Sequence, residues 1–190
     1  MKVHFIGIGG SGMLGLAKML YARGYNISGS DTANSLELDK FSSEGAKIYI
    51  GHNPANIPNE TQIVVKTVAV KDDNPEIQAA KIREIPIVKY AEMVGKVMSS
   101  KTGIAVAGTH GKTTTTSIIA YTLKELGKKP DFIIGGNVPQ LGGNFGVGQN
   151  GLFVVEACEY DRSFHNYYPE YAIINNIEED HLDYYKDIDE

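Results

Sequence analysis

The chain has 190 residues, 42% hydrophobic and 22% charged, with a formal net charge of −5. That balance fits one large or two small globular domains and argues against a nucleic-acid partner, whose phosphates call for clustered Lys and Arg. The single cysteine, Cys158, excludes an internal disulfide and fits a reducing cytoplasm; no apolar run approaches the roughly 20 residues of a membrane helix.

Val3–Ile8 reads as a buried strand, too short and too polar at His4 for a signal peptide. Gly9-Gly10-Ser11-Gly12 follows, and Met13, Leu14, Leu16, Ala17, Met19 and Leu20 form the apolar side of a helix stopping near Gly24. Tyr25–Ser28 is the next strand, closing in Gly29-Ser30-Asp31. Gly7, Gly9 and Gly12 satisfy G-x-G-x-x-G, a turn that lets backbone approach a diphosphate at a helix start. The pattern serves NAD, FAD and nucleotide sugars alike. Asp31 stands either where an acid reaches a ribose hydroxyl or as a helix N-cap.

Further on, helices are expected over Leu36–Phe41, Pro75–Lys81 and Ala91–Met98, and strands over Lys47–Ile50, Ile63–Val65 and Ile85–Val88. This alternation specifies a doubly wound parallel sheet. His52, after a strand end, is a ligand contact or an ordinary loop histidine. The polar stretch 99–103 marks a boundary between domains 1–98 and 99–190.

In the second half the apolar run Ile104–Ala107 ends in Gly108-Thr109-His110-Gly111-Lys112-Thr113, then a helix runs to Gly127. Strand, glycine turn and helix start together make a phosphate site: loop amides and the helix dipole face the anion, Lys112 adds charge, and a Thr hydroxyl can ligate magnesium. The loop is shorter than G-x-x-x-x-G-K-[ST]. Phe132–Ile134 is a strand, 135–151 a long glycine- and asparagine-rich loop. Leu152–Val155 runs into Glu156 and Tyr171–Ile174 into residues 175–181, placing acids and His181 at the carboxyl edge of the sheet, where a metal ligand is wanted. Glu156 is a ligand or a solvated strand end; His181 is a ligand or a surface histidine, imidazole being uncommon on magnesium. Glu159, Asp161, Glu178, Glu179, Asp180 and Asp183 read as solvated or capping, Cys158 as a small buried residue, and Tyr167, Tyr168 and Tyr171 as packing.

Gly-Thr-His-Gly-Lys-Thr (108–113), Glu-Ala-Cys-Glu-Tyr (156–160) and Asn-Ile-Glu-Glu-Asp-His-Leu-Asp (176–183) resemble the Mur ligases of bacterial cell-wall synthesis. Residues 4–13 and 28–31 resemble the branch acting on UDP-N-acetylmuramate and L-alanine. The resemblance implies a cytoplasmic, ATP- and Mg2+-dependent amide ligase working through an acyl phosphate. It implies a Rossmann-like, doubly wound parallel sheet domain for the sugar nucleotide, followed by part of a P-loop ATPase α/β domain. ATP would lie at Gly108, Thr109, His110, Gly111, Lys112, Thr113 and Thr114, with magnesium on Thr113 and Glu156 and a second metal at His181. Lys112, Glu156 and His181 would be catalytic, and Gly9, Gly10, Ser11, Gly12, Asp31 and His52 would bind the substrate.

The chain departs from the family at Lys66–Val70, where relatives often carry a Ser-Ser-Ala-Ile-like run, and at Asn175, where Thr is common. Family members have three domains and more than twice this length, so the chain is expected to be a fragment that binds ligands without ligating. An apolar face and open sheet edges in such a fragment lead to an expectation of self-association or of disorder after about residue 100. Two other functions fit parts of the pattern. A dinucleotide-dependent oxidoreductase would use the first glycine loop, and a non-catalytic nucleotide-binding regulator only the second.

Overall fold

The computed structural model describes residues 1–189. The chain divides into two compact units, Met1–Met93 and Val94–Glu190.

The first unit is a parallel sheet built from β1 (Lys2–Ile6), β2 (Asn26–Asp31), β3 (Lys47–Ile50), β4 (Ile63–Lys66) and β5 (Ile87–Lys89), in the order β3-β2-β1-β4-β5. Val3, Phe5 and Ile6 of β1 and Val64 and Val65 of β4 are buried, as expected for central strands covered on both faces. Helices α1 (Ser11–Ala22), α2 (Leu36–Ser43) and α3 (Pro75–Ile82) return the chain between strands. α2 starts on Ser35, whose side chain accepts from Leu38 N–H; α3 starts on Asn74, which accepts from the Glu76 and Ile77 N–H groups, with Pro75 in its first turn. The chain leaves β1 toward β2 and β3 on one side and returns to β4 and β5 on the other, putting a topological switch at the carboxyl end of β1.

Two boundaries beside the glycine loop differ from the sequence reading. β1 stops at Ile6 rather than Ile8, because Gly7 adopts φ +83° and the Gly7 and Ile8 N–H groups both turn onto the Ser30 carbonyl. β2 correspondingly runs on to Asp31. Gly29 lies inside it, where a Cβ would come within 2.6 Å of Ile8 Cδ1 and 2.8 Å of the Phe5 carbonyl.

α4 (Tyr90–Met98) carries the division between the units. The second unit has β6 (Thr102–Ala107), α5 (Lys112–Glu125), β7 (Asp131–Val138), β8 (Gly143–Gly146), β9 (Leu152–Glu156) and β10 (Tyr171–Ile174), with sheet order β10-β6-β9-β7-β8. All pairs are parallel except β7–β8. α5 packs Ala120 onto Phe132, Ile134, Leu141 and Val154. On the other face Ala105, Ala107 and Ala172 line a cavity of about 450 Å³, closed in part by Phe164, Tyr167 and Tyr185.

The expected loop 135–151 is partly strand: β7 extends to Val138, and β8 returns antiparallel after a turn through Gly142 and Gly143, both at positive φ. A Cβ at Gly146 would overlap the Phe132 ring, so the absence of a side chain there lets β8 lie against β7. Tyr167 is buried, whereas Tyr168 and Tyr171 are 81% and 61% exposed and do not pack as expected. Cys158 is exposed, not buried.

Candidate functional site

In the second unit the loop between β6 and α5 is shaped by two glycines at positive φ, Gly108 at +130° and Gly111 at +80°. A Cβ on Gly108 would come within 3.1 Å of the backbone nitrogens of Asn175 and Asn176, the segment that clamps the loop. Asn176 Oδ1 accepts from the His110 N–H at 2.8 Å, Thr109 N–H donates to the Asn176 carbonyl at 3.3 Å, and Thr109 Oγ1 accepts from the Glu178 N–H at 3.0 Å. Asn175 Nδ2 donates to the His110 carbonyl at 3.1 Å, so the departure at Asn175 supplies a loop contact. His110 enters through its backbone; its side chain is exposed, 3.7 Å from Glu178.

α5 begins at Gly111 with no side-chain cap and no acid in its first turn. α1 begins the same way at Gly10, whereas α2 and α3 have both a cap and first-turn acids. The two helices that follow glycine loops therefore start without a capping side chain or a first-turn acid of their own, which suits a phosphate site.

Lys112 folds over the loop, its Nζ 2.6 Å from the Gly108 carbonyl, 3.2 Å from that of Thr109 and 3.0 Å from Glu159 Oε1. Thr113 Oγ1 donates to Glu156 Oε2 at 3.2 Å, and Glu156 Oε1 accepts from the Gly135 N–H at 2.7 Å. The register Val106↔Glu156 puts that carboxylate beside the end of the strand that feeds the loop. Thr114 is exposed on the first turn of α5.

Glu159, read from sequence as solvated, bridges the site: Oε1 meets Lys112 and also His181 Nε2, at 3.4 Å. Its Oε2 is buried without a hydrogen bond. Ligating atoms of Glu159, Asp180 and His181 lie within 4.8 Å of one another. His181 is held by an N–H bond to Asp180 Oδ1 and packs at 5.0 Å on Tyr160, whose phenol is pushed up by the charge of Asp183. The signal that could have found Glu159 is its three-residue step from Glu156 across a turn beyond the strand end.

Oxygen donors from Thr113 and Glu156 suit magnesium, and the orphaned Glu159 oxygen beside His181 and Asp180 suits a second cation.

In the first unit the loop Gly7–Gly12 lies at the carboxyl edge, with Gly9, Gly10 and Ser11 exposed. Asp31 Oδ2 accepts from the Gly9 N–H at 2.7 Å, and a Cβ on Gly9 would come within 2.8 Å of that oxygen. Asp31 thus closes the glycine loop. A Cβ on Gly12 would crowd the Tyr90 hydroxyl at 3.0 Å. His52 is a network member rather than a free loop residue: Nδ1 lies 3.0 Å from Ser30 Oγ and 3.3 Å from Glu76 Oε2. Glu76 is fully buried and was not singled out in the sequence. Lys66, the family departure, pins the turn that follows β4 through the Val70 carbonyl at 2.9 Å and Asp72 at 3.2 Å.

Residues 2–102 match the model of the Mur ligase family, catalytic domain, and residues 106–190 that of the Mur ligase middle domain. The chain is 48% identical over 190 residues to a UDP-N-acetylmuramate–L-alanine ligase of Clostridium beijerinckii, covering all of this chain. It is 48% identical over 188 residues to the enzyme of that name from Aquifex aeolicus, covering 99%. It spans 41% of the length of each of these relatives. Among solved structures, a UDP-N-acetylmuramate-alanine ligase of Thermotoga maritima matches with a TM-score of 0.87 at 37% identity, over 96% of this chain and 43% of that one. The UDP-N-acetylmuramate:L-alanyl-gamma-D-glutamyl-meso-diaminopimelate ligase of Neisseria meningitides matches with a TM-score of 0.91 at 30% identity, over 99% and 64%.

Proposed function

Because this chain belongs to the Mur ligase family, we propose that it carries the substrate and ATP sites of a cytoplasmic ligase joining L-alanine to UDP-N-acetylmuramate in peptidoglycan synthesis. Residues 1–98 form the sugar-nucleotide domain, with Gly9, Gly10, Ser11, Gly12, Asp31 and His52 at the diphosphate. Residues 99–190 supply the phosphate-binding part of the ATPase domain.

The reaction has two steps. A muramate carboxylate oxygen attacks the γ-phosphorus of ATP, the bond to the bridging oxygen breaks, and ADP leaves. The L-alanine amine then attacks the acyl phosphate and inorganic phosphate leaves, the amine losing a proton. Anions meet in the first step, so the chain's task is to compensate charge and hold an in-line approach. Gly108–Gly111 amides and the start of α5 cradle the phosphates. Lys112, moving off Glu159, places its ammonium on the transferring group. Thr113 and Glu156 hold magnesium, and His181 with Glu159 and Asp180 holds a second ion. Bound metal supplies charge compensation to the phosphate oxygens. Thr109, His110 and Thr114 complete the nucleotide loop. The chain spans 41% of the length of its curated relative; its partners are these small molecules, and neither nucleic acid nor membrane is one.

The observation that carries this reading is the meeting of Lys112, Thr113 and the β9 carboxylate Glu156 beside one glycine loop at a strand end. The test is calorimetric titration of this chain with UDP-N-acetylmuramate, MgATP and NAD in separate cells. Saturable binding of the first two and none of NAD is the expected result. NAD binding alone would overturn this reading in favour of an oxidoreductase, and ATP binding without the sugar nucleotide would favour a nucleotide-binding regulator.

A further inference from the structure

Glu76 has a fully buried side chain in the first turn of α3, yet it gathers polar groups from β1, β2 and the segment that follows β3. Ser30 Oγ on β2 donates to Oε2 at 2.5 Å. Beyond β3, the Asn53 N–H and Asn56 Nδ2 donate to Oε1 at 3.2 and 2.6 Å, and His52 Nδ1 lies 3.3 Å from Oε2. His4 Nε2 on β1 is 3.6 Å away. Burial pushes the carboxyl up, but the His4 ring beside it and the bonds from Ser30 and Asn56 outweigh it and hold it at about 2.

An apolar side chain of similar volume commonly stabilises a core as well as a buried charge does, so stability alone gives no reason for a carboxylate here. Its partners do. The Ser30 carbonyl receives the Gly7 and Ile8 N–H groups that begin the glycine loop, and the Ser30 hydroxyl joins Glu76 to His52. Because that hydroxyl gives its proton to Glu76, its lone pair accepts from His52 Nδ1–H at 3.0 Å. Nδ1 is thereby protonated and engaged, and Nε2 is the ring nitrogen left for a ligand on a side chain 18% exposed.

We propose that Glu76 is a positioning residue of the sugar-nucleotide site: with Ser30 it fixes the Nδ1–H tautomer of His52, so that Nε2 bonds an oxygen of the nucleoside diphosphate held at Gly9–Gly12. Its grip on Asn53 and Asn56 sets the path of the loop carrying His52. The mechanism is that of a carboxylate behind a ligating histidine. It rests on the sugar-nucleotide reading of the first unit.

The experiment uses this chain with 15N-labelled histidine. Long-range 15N–1H spectra of the unsubstituted chain are expected to show His52 protonated at Nδ1. In Glu76→Gln, whose amide can donate toward Nδ1, they should show the proton moved to Nε2; a merely structural glutamate would leave the tautomer unchanged. In calorimetry, Glu76→Gln and His52→Ala should each weaken UDP-N-acetylmuramate about tenfold, and the double variant should be no weaker than the worse single one. Should Glu76→Gln not fold, Ser30→Ala removes the nearer of the two oxygens facing Nδ1 and should shift the tautomer and the affinity in the same direction, by less because Glu76 Oε2 stays at 3.3 Å. Multiplying losses, or an Nε2–H ring in the unsubstituted chain, overturn the proposal while leaving the sugar-nucleotide reading intact. No binding of UDP-N-acetylmuramate by the unsubstituted chain overturns that reading and the proposal with it.

Discussion

Lys112 Nζ and Glu159 Oε1 stand 3.0 Å apart, and both side chains are mostly shielded, at 17% and 23% exposure. The ammonium that would meet a phosphate is thus already paired with a carboxylate. An incoming triphosphate has to displace Glu159, and the freed carboxylate remains beside His181.

Removing the cation should therefore cost more than removing its partner. Lys112→Met is expected to weaken ATP binding by about 2 kcal/mol, the scale of a charge-assisted hydrogen bond. Glu159→Gln should tighten binding of metal-free ATP, since the competitor for Lys112 has gone, and weaken the response to magnesium. Titrations with and without EDTA separate the two effects; tighter metal-free binding in Lys112→Met would refute the assignment.

Glu156 is expected to act through metal rather than through the nucleotide directly. Glu156→Gln keeps an acceptor for the Gly135 N–H but removes the charge that attracts a divalent cation. ATP affinity in EDTA should change little, while the gain from adding magnesium should largely vanish in the same titration.

The depressed carboxyl of Glu76 gives the first unit a pH dependence of known sign. Its value of about 2 in the fold lies below the ordinary 4.5, so its contribution is complete above pH 4.5 and is lost as pH falls toward 2. The difference amounts to roughly 3 kcal/mol. Urea denaturation followed across that window should show the loss, and Glu76→Gln should flatten it.

The Lys101–Asp131 pair is a second buried charge outside either site. Asp131 is 1% exposed, 2.6 Å from Lys101 Nζ and 2.8 Å from the Gly148 N–H. Asp131→Ala is expected to destabilise the second unit by about 3 kcal/mol, because Lys101 is left poorly paired. Asp131→Asn, which keeps an acceptor for Gly148, should cost less. Equal denaturation midpoints for the two variants would contradict this account.

What could be read from sequence is what short-range pattern encodes. Gly7, Gly108 and Gly111 sit at positive φ, Gly9 and Gly12 where the Asp31 carboxylate and the Tyr90 hydroxyl crowd a Cβ, and Lys112, Thr113 and Glu156 lie at the ends of apolar runs whose direction is set by burial. Glu159 and Glu76 escaped because their roles come from partners 47 and 46 residues away, Lys112 and Ser30. Lys101 was taken for part of a polar break because its partner Asp131 begins a strand one residue earlier than the apolar run suggested. β8 was hidden by its glycines, which erase the alternation that marks a strand. Cys158, with no base pattern near it, reads as a small buried residue, yet it is exposed although Ala157 before it is buried.

If the proposed ligands bind there, the uncapped starts of α1 and α5 tie folding to occupancy. A cap absent from the chain is one a ligand can provide, so a phosphate at Gly10–Gly12 or Gly111–Thr113 acts as the missing N-terminal residue of its helix, a contribution of about 1 kcal/mol in proteins that carry their own. Amide exchange should therefore be fastest in these first turns, at residues 11–14 and 112–115, and slow in each only when its own anion is added. The sugar nucleotide would quiet the first and ATP the second, making each helix an independent gauge of its site.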